Sequence, residues 1–481
     1  MKKNIFYKIL LTGTSLLFPL ITFPYLSRIL GAEGLGVCNF IMSYSQNYMT
    51  IAALGIPVYG IREIAKVGDD KEKRSRIFYE LLAIHLIFTL LMLIIYSVSV
   101  ILSDSFANYR QLALVGGSFI VMNVFAIEWL FSGVNDFKFI TVRSIIIRFF
   151  SVIATFVFVK DKNDFSIYFI LMVITTLLTC IVDIYYTRKL INRKIDLTWK
   201  GIASHIRPVI ILGIYMVLVT IYAALPATLL GFMSTKASVS YYYASNRIIR
   251  MVISAFTAIT TVMIPRVNLV HENKEGNEYL SLVNKGITVA ITFGVPLAFF
   301  VFLMSAPLVL LLAGNQFTKS IFVTEVMSPI ILIVALAQVF VLLVLSVNRQ
   351  DKAMVALAVC GMVVSLAINI VFIPINAEKA TAFSQLSAEF IVTLVAFILA
   401  RRLVDFHFPF GFFLLNILLV IPFAGIAYLC IKTWHSNIII LLVSSIGCGI
   451  YFLIYQLFIL KNHLIKSQLA PYLARVGLSL R

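Results

Sequence analysis

The sequence predicts an all-α polytopic membrane protein of about fourteen transmembrane helices. They are expected as two parallel-repeat six-helix bundles in a V, with two extra C-terminal helices. Three observations carry this expectation. Of 481 residues, 61% are hydrophobic and 12% charged, and the mean hydropathy is +1.00. A soluble fold of this length does not hide that much apolar surface. Apolar stretches of about 20 residues, long enough to cross a bilayer, recur along the whole chain. Short signatures from the first half return in the second.

Taken in order, the spans fall near 9–29, 37–61, 77–102, 111–133, 140–159, 165–187 and 208–230. They continue near 239–265, 286–312, 322–347, 353–373, 380–400, 411–431 and 438–460. The opening MKKNIFYKILLTGTSLLFPLITF has a basic start and an apolar run but no small-residue cleavage site. It reads as a retained first helix rather than a signal peptide. Span 37–61 is rich in polar residues, and 140–159 contains Arg148. Prolines 19, 24, 57, 226 and 296 lie in or beside spans, where they supply bends. The basic segment RKLINRKIDLTWKGIASHIRP is the expected linker between halves. The domain expectation is an N-terminal bundle at 1–190, a cytoplasmic linker at 191–207 and a C-terminal bundle at 208–402. Residues 403–481 supply two additional helices and a cytoplasmic tail.

Basic residues accumulate in cytoplasmic loops, which fixes orientation. With the N-terminus in the cytoplasm, 28 of 39 lysines and arginines fall on that side and eight on the other. Arg143, at the start of span five, counts with the cytoplasmic set, and Arg148, Arg247 and Arg250 lie deeper. Both termini are therefore expected in the cytoplasm. The net charge of +18 sits in short loops between spans and does not indicate nucleic-acid binding.

The halves echo each other. Leu30-Gly31 recurs as Leu230-Gly231, and Ile56-Pro57 with Arg62 recurs as Ile264-Pro265 with Arg266. Ser132 to Lys138 (SGVNDFK) has a counterpart in Ser346 to Lys352 (SVNRQDK). Six spans is an even number, so both repeats begin on the same side and are parallel, as in transporters built from repeats.

Polar stripes on apolar helices locate the candidate site. In SYYYASNRIIRMVISAFTAITTVMIP (240–265), Arg247, Arg250, Ser254, Thr257 and Thr261 share one helical face. An arginine in hydrocarbon costs roughly 2.5–3.5 kcal/mol even on the gentler insertion scale, so two on one face call for an aqueous or anionic surface. Ser144, Arg148, Ser151 and Thr155 form a similar stripe in span five, and Asn39, Ser43, Gln46 and Thr50 form one in span two. In span twelve, Thr381, Gln385, Glu389 and Thr393 follow at intervals of four, with Glu389 near mid-bilayer. Span six offers Thr175, Thr179 and Asp183. Hydroxyl and amide stripes can equally be polar helix–helix contacts. A charge at that depth, by contrast, needs water or a partner. The expected role of Arg148, Arg247 and Arg250, facing the space between the bundles, is to bind an anionic group. Asn39, Ser43, Gln46, Ser254, Thr257 and Gln385 are expected to line a lumen, and Glu389 and Asp183 to handle a coupling ion.

Other groups read more plainly. The mixed run KVGDDKEKRSR suits a solvated loop, Arg28, Glu33, Lys236 and Lys319 suit headgroup anchors, and His85 suits packing. Trp129 suits an interfacial belt or, with Glu128, an inner mouth. Cysteines 38, 180, 360, 430 and 448 form no close pair and no metal spacing. No phosphate loop, nucleophile elbow, H-E-x-x-H or C-x-x-C occurs, so neither an ATPase nor an enzyme is expected, and no cofactor or metal.

PLITFPYLSRILGAEGLG and LGIPVYGIREIAKVGDDKEKR resemble the opening of Wzx-type flippases, the polysaccharide-transporter branch of the MOP exporter superfamily. EWLFSGVNDFKFITVRS, SAPLVLLLAGNQF and ATAFSQLSAEF resemble later signatures of that family. The resemblance covers essentially the whole chain. It implies movement of undecaprenyl-diphosphate-linked oligosaccharide repeat units across the bacterial inner membrane for O-antigen, capsule or exopolysaccharide. It also implies a monomer working near a repeat-unit polymerase and a chain-length regulator. The alternatives are a drug/cation antiporter of the same superfamily, whose lumen should be acidic or aromatic, and a glycan polymerase or ligase. A polymerase or ligase should carry a large outer loop, whereas no outer loop here exceeds about ten residues.

Overall fold

The computed structural model describes residues 2–192, 195–273, 275–462 and 465–466, and no strand occurs among them. The chain is an all-helical, multi-pass membrane protein. Twelve helices among the described residues are long and apolar enough to cross a bilayer. They divide between two compact units.

The first unit comprises residues 1–243, 312–316 and 358–384. It holds α1 (Lys2–Ile29), α2 (Gly31–Ala53), α3 (Ile56–Val67), α4 (Lys71–Leu102) and α5 (Arg110–Asn123). α6 (Glu128–Gly133), α7 (Phe137–Phe158), α8 (Phe165–Leu190) and α9 (Trp199–Met233) follow, then the start of α10 (Lys236–Glu272). The span expected at 37–61 is broken. Leu54 takes φ 46°, Gly55 follows, and Pro57 sits in the first turn of α3, where its missing N–H costs nothing. Side-chain caps start the next helices. Asp70 accepts from Lys73 N at 3.0 Å, Asp136 from Phe139 N at 3.2 Å and Thr198 from Gly201 N at 3.2 Å.

Phe78, Leu81, Ile84, Trp129, Leu130, Phe131 and Val209 join in one buried core of α3, α4, α6 and α9. Trp129 is thus a core residue rather than an interfacial one. Its indole lies on Gly60, where a Cβ would stand 2.4 Å from the ring. His85 is packed, as its lone position suggests. Lys236 turns inward instead of anchoring in headgroups. Its Nζ lies 3.7 Å from the centre of the Phe40 ring and donates to Gly231 O at 2.6 Å. Gly36 lets α2 meet the start of α10, since a Cβ there would stand 1.9 Å from Lys236 O.

The second unit comprises residues 244–311, 317–357 and 385 onward. It contains most of α10, α11 (Gly276–Leu303), α12 (Ser305–Leu312), α13 (Lys319–Met327) and α14 (Ile330–Gln338). A π-helical stretch, Val339–Leu345, continues α14. α15 (Asp351–Leu403), whose residues 358–384 belong to the first unit, α16 (Phe410–Leu419), α17 (Pro422–Thr433) and α18 (Asn437–Ile454) complete the chain. A chain of buried amides ties the last helices to α11. Gln456 donates to Asn416 at 2.8 Å, and Asn462 donates to Gln456 at 2.8 Å and to Thr292 at 3.0 Å. Residues 467–481 of the expected cytoplasmic tail lie outside the described residues.

Although α15 runs for 53 residues, it is a hairpin. Asn376 and Ala377 leave helical geometry, Ala377 at φ 41°. Asn369 donates to Ser384 Oγ at 2.7 Å. A straight helix would hold those residues about 22 Å apart. α15 therefore covers both spans expected at 353–373 and 380–400, and counts once among the twelve.

Candidate functional site

Each unit carries a charged cluster among apolar helices. In the second unit, α10 presents an exposed polar stripe. Arg250 is 44% exposed and its Nη2 lies 3.8 Å from Glu389 Oε1, on the second half of α15. Gln385, one turn before Glu389, donates to the same carboxylate oxygen at 3.0 Å. Its own Oε1 is buried without a hydrogen-bond partner. Helical periodicity on two separate helices thus put Arg250, Gln385 and Glu389 on faces that the fold brings together. Arg247 is half-buried one turn earlier.

Further along, the stripe turns to local bonding. Ser254 donates to Met251 O at 2.6 Å, while Thr257 accepts from Gln338 Nε2 at 2.8 Å. At 3.8 Å, Arg250 is an ion-pair partner of Glu389 but beyond hydrogen-bond range. A guanidinium presents its donors as a fork that suits oxygens in a plane.

In the first unit, α7 and α8 build the second cluster. Arg143, buried, donates to Asp183, also buried, and to Glu128, whose side chain is 52% exposed. Asp183 retains an Oδ2 with no hydrogen-bond partner. Arg148, on the same helix as Arg143, is half-buried, and its Nη1 is buried without one. A desolvated guanidinium N–H without an acceptor is costly. Charge counting placed Arg143 with the cytoplasmic loops, whereas it is the centre of this cluster. The signal that could have found it is Asp183, a buried carboxylate that needs a cation within reach.

The remaining expected lining residues lie on α2, and the hydroxyl stripe of span five lies on α7. Ser43 is buried 2.8 Å from Thr228 Oγ1 and donates to Ala224 O at 3.0 Å, so it joins α2 to α9. Asn47, absent from the expected stripe, donates to Thr228 at 3.0 Å. Gln46 donates to Thr50 at 3.4 Å, and Asn39 is half-buried. Ser151 accepts from Thr175 at 3.0 Å across α7 and α8. Among the described residues, no group of three or more His, Cys, Asp or Glu could hold a metal ion.

Residues 1–271 match the family described as "Polysaccharide biosynthesis protein". The chain belongs to that family. A protein of Escherichia coli (strain K12) described as "Putative O-antigen transporter" is 24% identical over 408 residues, covering 84% of this chain and 97% of that protein. Among solved structures, a "Lipid II flippase MurJ, inward closed conformation" superposes with a TM-score of 0.75 at 15% identity, covering 95% of this chain and all of that one. An inward-facing multidrug resistance MATE family transporter of the MOP superfamily gives a TM-score of 0.65 at 13% identity, covering 80% and 93%. At those identities the likeness is one of fold.

Proposed function

We propose that this protein flips undecaprenyl-diphosphate-linked oligosaccharide repeat units from the cytoplasmic to the outer leaflet of a bacterial inner membrane by alternating access. Both termini lie in the cytoplasm. It works as a monomer beside a repeat-unit polymerase and a chain-length regulator, and makes or breaks no covalent bond. The cargo's tail can stay in hydrocarbon, but its charged head cannot, so the protein must offer cations at membrane depth.

The observation that carries this reading is the state of the arginines. Arg250 is charge-matched by Glu389 without a hydrogen bond, and Arg148 keeps a buried donor unpartnered. Both are arranged to receive phosphate oxygens. Arg148, Arg247 and Arg250 act on the diphosphate during its passage, while Asn39, Gln46, Ser254, Thr257 and Gln385 serve its glycan; Ser43, expected beside them, is used up in joining α2 to α9. Similarity to a protein described as an O-antigen transporter, in a polysaccharide biosynthesis family, supports a lipid-linked glycan as cargo. Glu389 and Asp183 are the coupling-ion candidates. Phosphate arriving at Arg250 competes with Glu389 for one guanidinium, so cargo and coupling ion act on the same ion pair.

The test is complementation of a flippase deletion at equal expression. Ala at Arg148, Arg247 or Arg250 should abolish surface glycan, and Lys should retain part of it, because charge survives while the fork does not. Intact glycan with Ala at all three would sink the assignment.

A further inference from the structure

A second set of buried ionisable groups has no part in that site. α3, α4 and α9 bring together Tyr59, Glu80 and His205 within the first unit. Tyr59 Oη lies 2.8 Å from His205 Nδ1, and His205 Nε2 lies 3.0 Å from Glu80 Oε2. Tyr59 and Glu80 are buried, and the His205 side chain is 12% exposed. Gly201, one turn before His205, makes room for the carboxylate, since a Cβ there would stand 2.0 Å from Glu80 Oε1. Ile56, Phe78, Leu81, Ile84 and Val209 belong to the same stretch of core.

Few other charges bear on this group. α3 contributes Arg62 and Glu63, which pair with each other, while Lys66 also reaches Glu63. α4 contributes Glu80 itself, the exposed Arg76 one turn earlier, and the buried Arg74, which donates to Leu190 O and Gly68 O, while α9 contributes Lys200 and Arg207, both exposed. α6, packed on α3, carries Glu128, which Arg143 engages. α2, packed on α9, has Glu33 as its single charged residue, near its opposite end.

The three side chains can hold or release a proton while the Nε2–Glu80 contact persists. With a neutral imidazole, Nε2–H donates to Glu80 and Nδ1 accepts the Tyr59 hydroxyl. With a protonated imidazole, Nε2–H still donates to Glu80, while Nδ1–H donates to the Tyr59 oxygen and the hydroxyl turns away. A phenol serves in both roles because it donates and accepts. Histidine is the side chain whose ordinary charge change falls between about pH 5 and pH 8. A proton added to the pair changes its net charge in apolar surroundings, where charge is costly. The attachment of α9 to α3 and α4 therefore differs in strength between the two states.

We infer that Tyr59, His205 and Glu80 form a proton-binding site that fastens the start of α9 to α3 and α4. Where it touches transport, the inference rests on the flippase reading; the site itself does not. Thermal unfolding of the purified full-length chain is measured at about pH 5 and about pH 8. The wild type should unfold at different temperatures at the two pH values, and the difference should shrink by at least half in His205→Gln and in Glu80→Gln. A uniform loss of stability at both pH values is expected of either variant and is not the readout. A wild type with no pH difference overturns the site, as does a difference unchanged in both variants. Should neither variant fold, Tyr59→Phe keeps the ion pair but leaves Nδ1 without its oxygen. Its pH difference should change, and one equal to that of the wild type overturns the site. In vesicles with lipid-linked glycan, the pH profile of translocation should move in Tyr59→Phe. Absence of translocation by the wild type, with the unfolding difference present, removes the cargo reading and leaves the proton site standing.

Discussion

Asp183→Asn probes the buried pair in the first unit most directly. The side chains of Arg143 and Asp183 are 3% and 0% exposed, so the pair is out of water. Removing one member of a buried ion pair typically costs about 3–5 kcal/mol, because the other charge stays desolvated. Here Glu128 still reaches Arg143, but from a half-exposed position where solvent screens it. The lower end of the range, about 3 kcal/mol, is therefore expected, roughly a hundredfold in the folding equilibrium. The double variant Arg143→Met with Asp183→Leu fills similar volume without charge and should return to within about 1 kcal/mol of wild type. The two single costs and the double then form a cycle with strong non-additivity. The assay is unfolding of the purified protein by increasing SDS in mixed micelles, followed by near-ultraviolet circular dichroism. An Asp183→Asn variant within about 1 kcal/mol of wild type would refute the reasoning, and would mean that Arg143 finds compensation elsewhere.

Three further outcomes follow from local geometry. Gly36→Ala should lose about 1–3 kcal/mol in the same titration, since its Cβ would meet the backbone oxygen of Lys236 at 1.9 Å and no flexible side chain can give way. Ala377→Gly should gain up to about 1 kcal/mol and Ala377→Val should lose at least as much, because φ at this residue is 41°. Glu389→Gln should lose the response of vesicle translocation to an imposed pH gradient. A response like that of the wild type would reduce Glu389 to a polar contact for Gln385.

The sequence made some of this legible because helical periodicity is local. Arg250 and Glu389 each stand on a stripe that can be counted along one helix, and the fold then places the stripes 3.8 Å apart at that point. Arg143 escaped because it lies only six residues into its helix, where hydropathy does not separate a loop charge from a buried one. Its significance depends on Asp183, forty residues away, and so on the packing of α7 against α8. The break after Ala53 was written in Leu-Gly-Ile-Pro, but a span of twenty-odd apolar residues masks a short interruption. Ser43 shows a different difficulty. A hydroxyl at helical spacing looks the same from sequence whether it faces water or, as here, Thr228.

The hairpin in α15 bears on how the chain enters the membrane at all. Its turn is Asn376–Ala377, so no soluble loop separates the two halves during synthesis. Asn369 is fully buried, and its Nδ2 donates to Ser365 O on its own half and to Ser384 Oγ on the other. A first half released alone into lipid would present an asparagine with one of its partners not yet made, a polar group in hydrocarbon. Insertion should therefore proceed in pairs at this point, with the first half held at the translocation machinery until the second emerges. Nascent chains arrested before and after Ser384 has emerged should differ accordingly, the shorter one remaining crosslinkable to the insertion channel and the longer one reaching lipid.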